Sequence, residues 1–221
     1  MFNGPGTFDV NKLFEDWASP LEIESATIAL KQFPCCGSTH PAIAMMLQLV
    51  REEKITIADV VKIEILPYGR RLRHTNTPHP QSSLEAKFSV QYVSARALFS
   101  GAVRLRDFEG EAYAEPEIRR LLKITEARPH PDMPDNADQQ WGAEVSIWLK
   151  NGRMLSRRVD QLVGRGGDST MTRDEMWEEF EDCGQRALPR QRLPALFDLL
   201  QGLETVPDMN AVKQLLLVEP L

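Results

Sequence analysis

The densest run of reactive side chains is Lys31-Gln32-Phe33-Pro34-Cys35-Cys36-Gly37-Ser38-Thr39-His40. It places a lysine, two thiols, two hydroxyls and an imidazole within ten residues. The segment runs into Ala42 to Glu53, where Ile43, Met46, Leu47 and Val50 recur at helical spacing. Ser38 or Thr39 is expected to cap that helix, and Pro41 is tolerated in its first turn. Unbonded amides and the positive dipole end at a helix start favour an anion such as a carboxylate. Lys31 adds a point charge beside it. An imidazole at the ordinary pKa of about 6.5 makes His40 a candidate general acid or base. A plainer reading has Lys31 solvated, His40 as a capping residue and the thiols as small buried hydrophobes. Metal binding is not expected of Cys35-Cys36: adjacent cysteines chelate poorly, and neither a second cysteine pair nor clustered histidine follows.

A second cluster, Arg70-Arg71-Leu72-Arg73-His74-Thr75-Asn76-Thr77-Pro78-His79-Pro80, brings three arginines and two histidines together. Arginine forks suit carboxylates, and a solvated basic loop accounts for the same residues. Spacing alone does not rank His74 against His79. The glycines of Val163-Gly164-Arg165-Gly166-Gly167 lack the G-x-x-x-x-G-K-[ST] run of a phosphate cradle, and no G-x-S-x-G elbow is present. Trp141 and Trp148 are assigned to the core.

These residues need a scaffold, and Gly and Pro punctuate one. A short helix is expected over Val10 to Trp17 and a strand over Ala26 to Leu30. After the helix ending at Glu53, Asp59 to Pro67 alternates Val61, Ile63 and Ile65 with Lys62 and Glu64, as a half-buried strand does. Tyr68 to Gln81 reads as a loop long enough to be functional. Ser82 to Gly101 reads as one helix, Pro116 to Lys123 as another and Leu122 to Ala127 as a strand. Ala143 to Leu149 and Arg153 to Val159 flank Asn151-Gly152, the preferred pair of a type I′ hairpin. Thr172 with Glu175 makes a capping box for a helix to Leu188, and helices over Leu193 to Leu203 and Asn210 to Leu216 follow. The fold class is α+β, with a small, partly antiparallel sheet and helices packed against it.

Composition narrows the function classes. A chain of 221 residues with 42% hydrophobic residues supports a real core. A formal charge of −6 argues against nucleic acid as a partner. No window approaches a membrane span, and Met1 to Gly6 has the pattern of no signal peptide. Three cysteines exclude a full disulfide framework and fit a reducing, cytoplasmic setting.

Lys31-x-Phe33-Pro34-Cys35-Cys36-x-x-Thr39-His40 resembles the K-x-[YF]-P-C-C-x-x-[ST]-H segment of the MmgE/PrpD family. That family includes 2-methylcitrate dehydratases, cis-aconitate decarboxylases and iminodisuccinate epimerases. Asp59 to Ile65, Ala86-Lys87-Phe88-Ser89-Val90-Gln91-Tyr92, Pro116-Glu117-Ile118 and Gly164 to Phe180 resemble further family stretches in the same order, so the likeness runs over roughly residues 4 to 205. Two departures stand out: Glu179 replaces the usual lysine before Phe180, and Thr170-Met171 replaces Pro-Met. Family members are about twice as long, with an all-helical domain ahead of this portion. The resemblance therefore implies the C-terminal domain only: a lead-in over 1–22, the family-like domain over 23–205 and a helical tail over 206–221.

The resemblance implies a cofactor-free lyase or isomerase site for di- or tricarboxylates. Lys31 and His40 are carried over as catalytic, and Cys36, Ser38, Thr39, Arg73 and His74 as substrate-binding. In some decarboxylases a histidine stands where Cys36 stands here. Lys31 would stabilise enolate-like charge and His40 would orient or shuttle protons. The partner implied is a separate all-helical chain, with a homodimer or heteromer expected; no nucleic acid or membrane partner is. The alternative is a catalytically inactive remnant or interaction module of the same fold. A truncated form of a longer enzyme fits the same residues. Dehydration, decarboxylation and epimerisation stay open.

Overall fold

The computed structural model describes residues 9–15, 17, 19, 21, 29–133, 141–161, 164 and 170–217. In chain order its helices are α1 (His40–Glu53), α2 (Gly69–Leu72), α3 (Ser83–Lys87), α4 (Val90–Ser100), α5 (Pro116–Leu122), α6 (Arg173–Gly184), α7 (Leu193–Gln201) and α8 (Asn210–Leu216). The strands are β1 (Val60–Pro67), β2 (Thr125–Ala127), β3 (Ala143–Leu149) and β4 (Met154–Val159). They form one mixed sheet in the order β2-β1-β3-β4. β2 runs parallel to β1, while β3 is antiparallel to both β1 and β4. The protein is α+β, with helices segregated around a largely antiparallel sheet.

Period-two alternation sends Ile63, Ile65, Val145 and Ile147 to one face, all fully buried. Ile43, Met46 and Leu49 of α1 share that core, as do Val90 and Val93 of α4. The other sheet face is polar. There Glu64 is buried, and Arg128 donates to it at 2.7 Å. Val61 departs from the simple alternation: a register shift between Val60 and Lys62 turns it outward, so it is exposed rather than core.

Three boundaries differ from the sequence reading for local reasons. The stretch from Ser82 to Gly101 is two helices, because the Ser89 side chain caps a new start by accepting from Tyr92 N–H at 3.0 Å. The loop after β1 opens with the short helix α2. The hairpin tip is not type I′. Gly152 N–H donates to Leu149 O at 2.9 Å, and Gly152 alone at the tip takes a positive φ, 83°. That is the pattern of a type I turn closed by a left-handed glycine. The capping box of Thr172 and Glu175 forms with both reciprocal bonds.

The helix expected from Val10 is a 3₁₀ turn, Val10–Leu13. Of the strand expected over Ala26 to Leu30, only Ala29 and Leu30 lie within the described residues. Leu30 N–H donates to Gly164 O at 3.0 Å. Gly164 sits at φ 83°, where a Cβ would come within 2.8 Å of Leu30 O, so the approach requires glycine. The rest of that glycine loop is outside the described residues. Trp141 and Trp148 are half-buried rather than core, each facing a cation: Arg71 at 3.5 Å and Lys62 at 5.1 Å from the ring centres.

Candidate active site

The turn ahead of α1 is folded more tightly than a plain N-cap. Gly37–Thr39 form a 3₁₀ turn, which gives Thr39 a helical backbone (φ −98°, ψ −12°). A side chain caps from an extended backbone, so neither Ser38 nor Thr39 caps α1 as expected. Thr39 is instead buried, donating to Cys36 O at 2.8 Å and lying 3.4 Å from Cys35 Sγ. Burial pushes the Cys35 thiol up to about 12, so it stays protonated. Cys36 is half-buried and contributes its carbonyl to this turn.

His40, the first residue of α1, is 2% exposed and packs edge-on against Phe33 with ring centres 5.2 Å apart. Its Nε2 has no hydrogen-bond partner among the described residues. Burial lowers its pKa to about 4, against an opposing pull from the backbone at Cys35. The Lys31 charge adds to the lowering. At neutral pH the ring is therefore neutral, which corrects the expectation of an imidazole titrating near its ordinary value.

Lys31, Ser38 and His40 converge on one cavity of about 260 Å³, whose remaining walls are Ala29, Leu30, Gly37 and Trp141. Just beyond the wall, His74 Nε2 lies 3.0 Å from Ser38 Oγ. Partial burial and the neighbouring Arg71 charge hold the His74 pKa below its ordinary value. Four of the residues singled out in sequence, Lys31, Ser38, His40 and His74, are thus brought together. Cys36, Thr39 and Arg73 do not line the cavity, and Arg73 is exposed. The residue missed was Trp141, which lines the cavity; Arg71, read in sequence only as one of three arginines, stacks on it. A hundred residues of chain separate Trp141 from the Lys31 turn, and no local pattern announces that meeting.

Leu30 and Lys31 also border a second, apolar cavity of about 290 Å³, with Met171, Met176, Phe180 and Phe197. Glu179 lies in its wall, its pKa raised by burial. A larger cleft of about 460 Å³ carries Gln32, Arg104, Glu175 and Glu178, which bond one another: Gln32 to Glu175 at 3.0 Å and Arg104 to Glu178 at 3.2 Å. Among the described residues, no three His, Cys, Asp or Glu side chains gather as metal ligands do. No helix among them is long and apolar enough to cross a membrane.

Residues 33–200 match the model of the MmgE/PrpD C-terminal domain, and the chain belongs to that family. It is 27% identical to the mouse (Mus musculus) protein cis-aconitate decarboxylase, over 88% of this chain and 40% of the mouse protein. The human (Homo sapiens) cis-aconitate decarboxylase is 26% identical over the same shares. A cis-aconitate decarboxylase-like protein oryM of Aspergillus oryzae is 21% identical, over 88% of this chain and 42% of that protein. The chain thus spans about two fifths of the length of these relatives.

Proposed function

We propose that this domain supplies one wall of a lyase or isomerase site for di- or tricarboxylates, with no cofactor. The observation that carries the reading is the cavity lined by both Lys31 and His40, the latter a neutral ring whose buried Nε2 has no partner among the described residues. Lys31 would hold a carboxylate and stabilise the enolate-like charge that develops when a neighbouring carbon loses a proton or CO₂. His40 Nε2 would accept or share a proton with the substrate, and it begins neutral, as a base must. Ser38, held by His74, would bind a second oxygen. Thr39 and Cys36 would support the turn, and Arg73 would draw in the anion from outside.

The relatives' printed activity suggests decarboxylation of cis-aconitate, and 2-methylcitrate dehydration is the companion reading. The remaining catalytic groups would come from the portion that the longer relatives possess and this chain does not span. A separately encoded all-helical chain is the proposed source, in a homodimeric or heteromeric cytoplasmic assembly.

The test is turnover of cis-aconitate and 2-methylcitrate by this chain co-expressed with such a helical chain. Lys31→Ala and His40→Ala are each expected to lower the rate on the order of a hundredfold. Rates within about threefold of wild type would remove both residues from the mechanism. Turnover by the 221-residue chain unaided would remove the need for a partner.

A further inference from the structure

His74 reaches the cavity wall from a segment that would ordinarily be mobile, a loop between two helices. Here the three residues that follow it are each tied to a different residue at the start of α4. Val90 N–H donates to Thr75 O at 2.9 Å. Gln91 Nε2 donates to Asn76 Oδ1 at 2.6 Å. Ser89 Oγ donates to Thr77 O at 2.5 Å while accepting from Tyr92 N–H. Thr75, fully buried, adds a bond from its hydroxyl to Arg71 O at 2.9 Å.

Packing alone does not explain Gln91. It is 1% exposed on a helix whose neighbours Val90, Tyr92 and Val93 are core, so an aliphatic side chain would fill the position. The amide instead leaves its Oε1 without a partner among the described residues. Burying such an oxygen is unfavourable, and among the described residues what the amide gains is its grip on Asn76.

We propose that Gln91, together with Ser89, is a positioning residue that clamps residues 75–77 to the first turn of α4 and so fixes His74 against Ser38 at the cavity wall. Its functional meaning rests on the Lys31–His40 cavity being the substrate site; the clamp itself does not. The side chains that bear on the His74 ring are Arg71 of α2 and Ser38 of the 3₁₀ turn. Loosening the clamp lets the ring leave both for water.

The test is an NMR titration of the His74 ring in the full chain, with His79 and His130 as internal references. Asn76→Ala cuts the clamp from its exposed end without touching the core, and Gln91→Leu cuts it from the buried end. Each is expected to raise the His74 midpoint, toward that of a solvated histidine. The reference histidines should not move. If the folded Asn76→Ala chain keeps the wild-type midpoint, the clamp is merely structural and the proposal falls; this holds even if Gln91→Leu fails to fold. No substrate enters the measurement. An unmoved His74 therefore leaves carboxylate binding by Lys31 and His40 standing, and failure of that binding leaves the clamp standing.

Discussion

Two buried polar groups in this domain are treated in opposite ways. Arg96, in the middle of α4, is 3% exposed, and each of its guanidinium nitrogens donates. Nε reaches Tyr92 Oη at 2.9 Å, the two terminal nitrogens grip Glu115 at 3.0 and 2.9 Å, and one of them also meets Ala112 O. Asp107 stands 3.9 Å away, and its backbone carbonyl accepts from Tyr92. His40 is just as buried and lines a cavity, yet one of its ring nitrogens has no partner among the described residues. At Arg96 every donor nitrogen finds a partner. His40 keeps an unpartnered nitrogen on a residue that lines the Lys31 cavity, whereas Gln91 Oε1 and Ser94 Oγ, also unpartnered among the described residues, belong to residues that do not line it. Burial is alike at Arg96 and His40, so an open bond marks the site only where it coincides with the cavity.

The contrast can be broken most forcefully at Arg96. Arg96→Met removes the cation that pairs with Glu115 and Asp107 and the donor to Tyr92 Oη, and is expected to remove about 3–5 kcal/mol of stability in a urea titration. A loss under about 1 kcal/mol would mean that the satisfied cluster is dispensable.

The next effect is a pH dependence. The His40 pKa is lowered on folding from 6.5 to about 4. Between those values the unfolded chain binds the extra proton, so stability rises with pH and is lost as pH falls through that window. The loss should total on the order of 3 kcal/mol between neutrality and pH 4. In His40→Leu this component disappears, and denaturation curves of the two proteins at several pH values isolate it.

At pH 7 itself, His40→Leu should lie within about 1 kcal/mol of wild type, since it removes an atom that was buried unpaired. A deficit like that of Arg96→Met would show His40 to be scaffold after all. The smallest effect belongs to the surface. Arg157 pairs with Glu52 at 2.6 Å across the edge of the sheet, with both side chains partly exposed. Arg157→Ala should change stability least of these variants, and less still in high salt, because solvent and salt screen the pair.

The sequence made periodic features plain. The alternation of Ile63 and Ile65, the spacing of Ile43, Met46 and Val50, and the box of Thr172 and Glu175 are local, and local patterns report local structure. The break at Ser89 was less visible, because Ser82 to Gly101 has apolar residues enough for one helix; only the bond to Thr77 shows why a second cap sits there. In the site, the Lys31 to His40 run was legible as dense chemistry, and His74 through a resemblance. Trp141 was not, because its place depends on where β3 begins relative to α1, a tertiary fact. Nor was the neutrality of His40 legible. Residue type sets the ordinary pKa, and packing against Phe33 sets the actual one.

The mixed sheet also sets an order of assembly. β3 and β4 are joined by a tight turn and can pair on the microsecond scale of hairpins. β1 must find β3 across the intervening α2 to α5, a closure whose entropic cost grows with the length of chain enclosed. The Lys31 turn precedes β1, and Trp141 lies just ahead of β3. Their cavity can exist only after that long closure, so it is among the last parts of the domain to form and the first to be erased when the central strand pair parts.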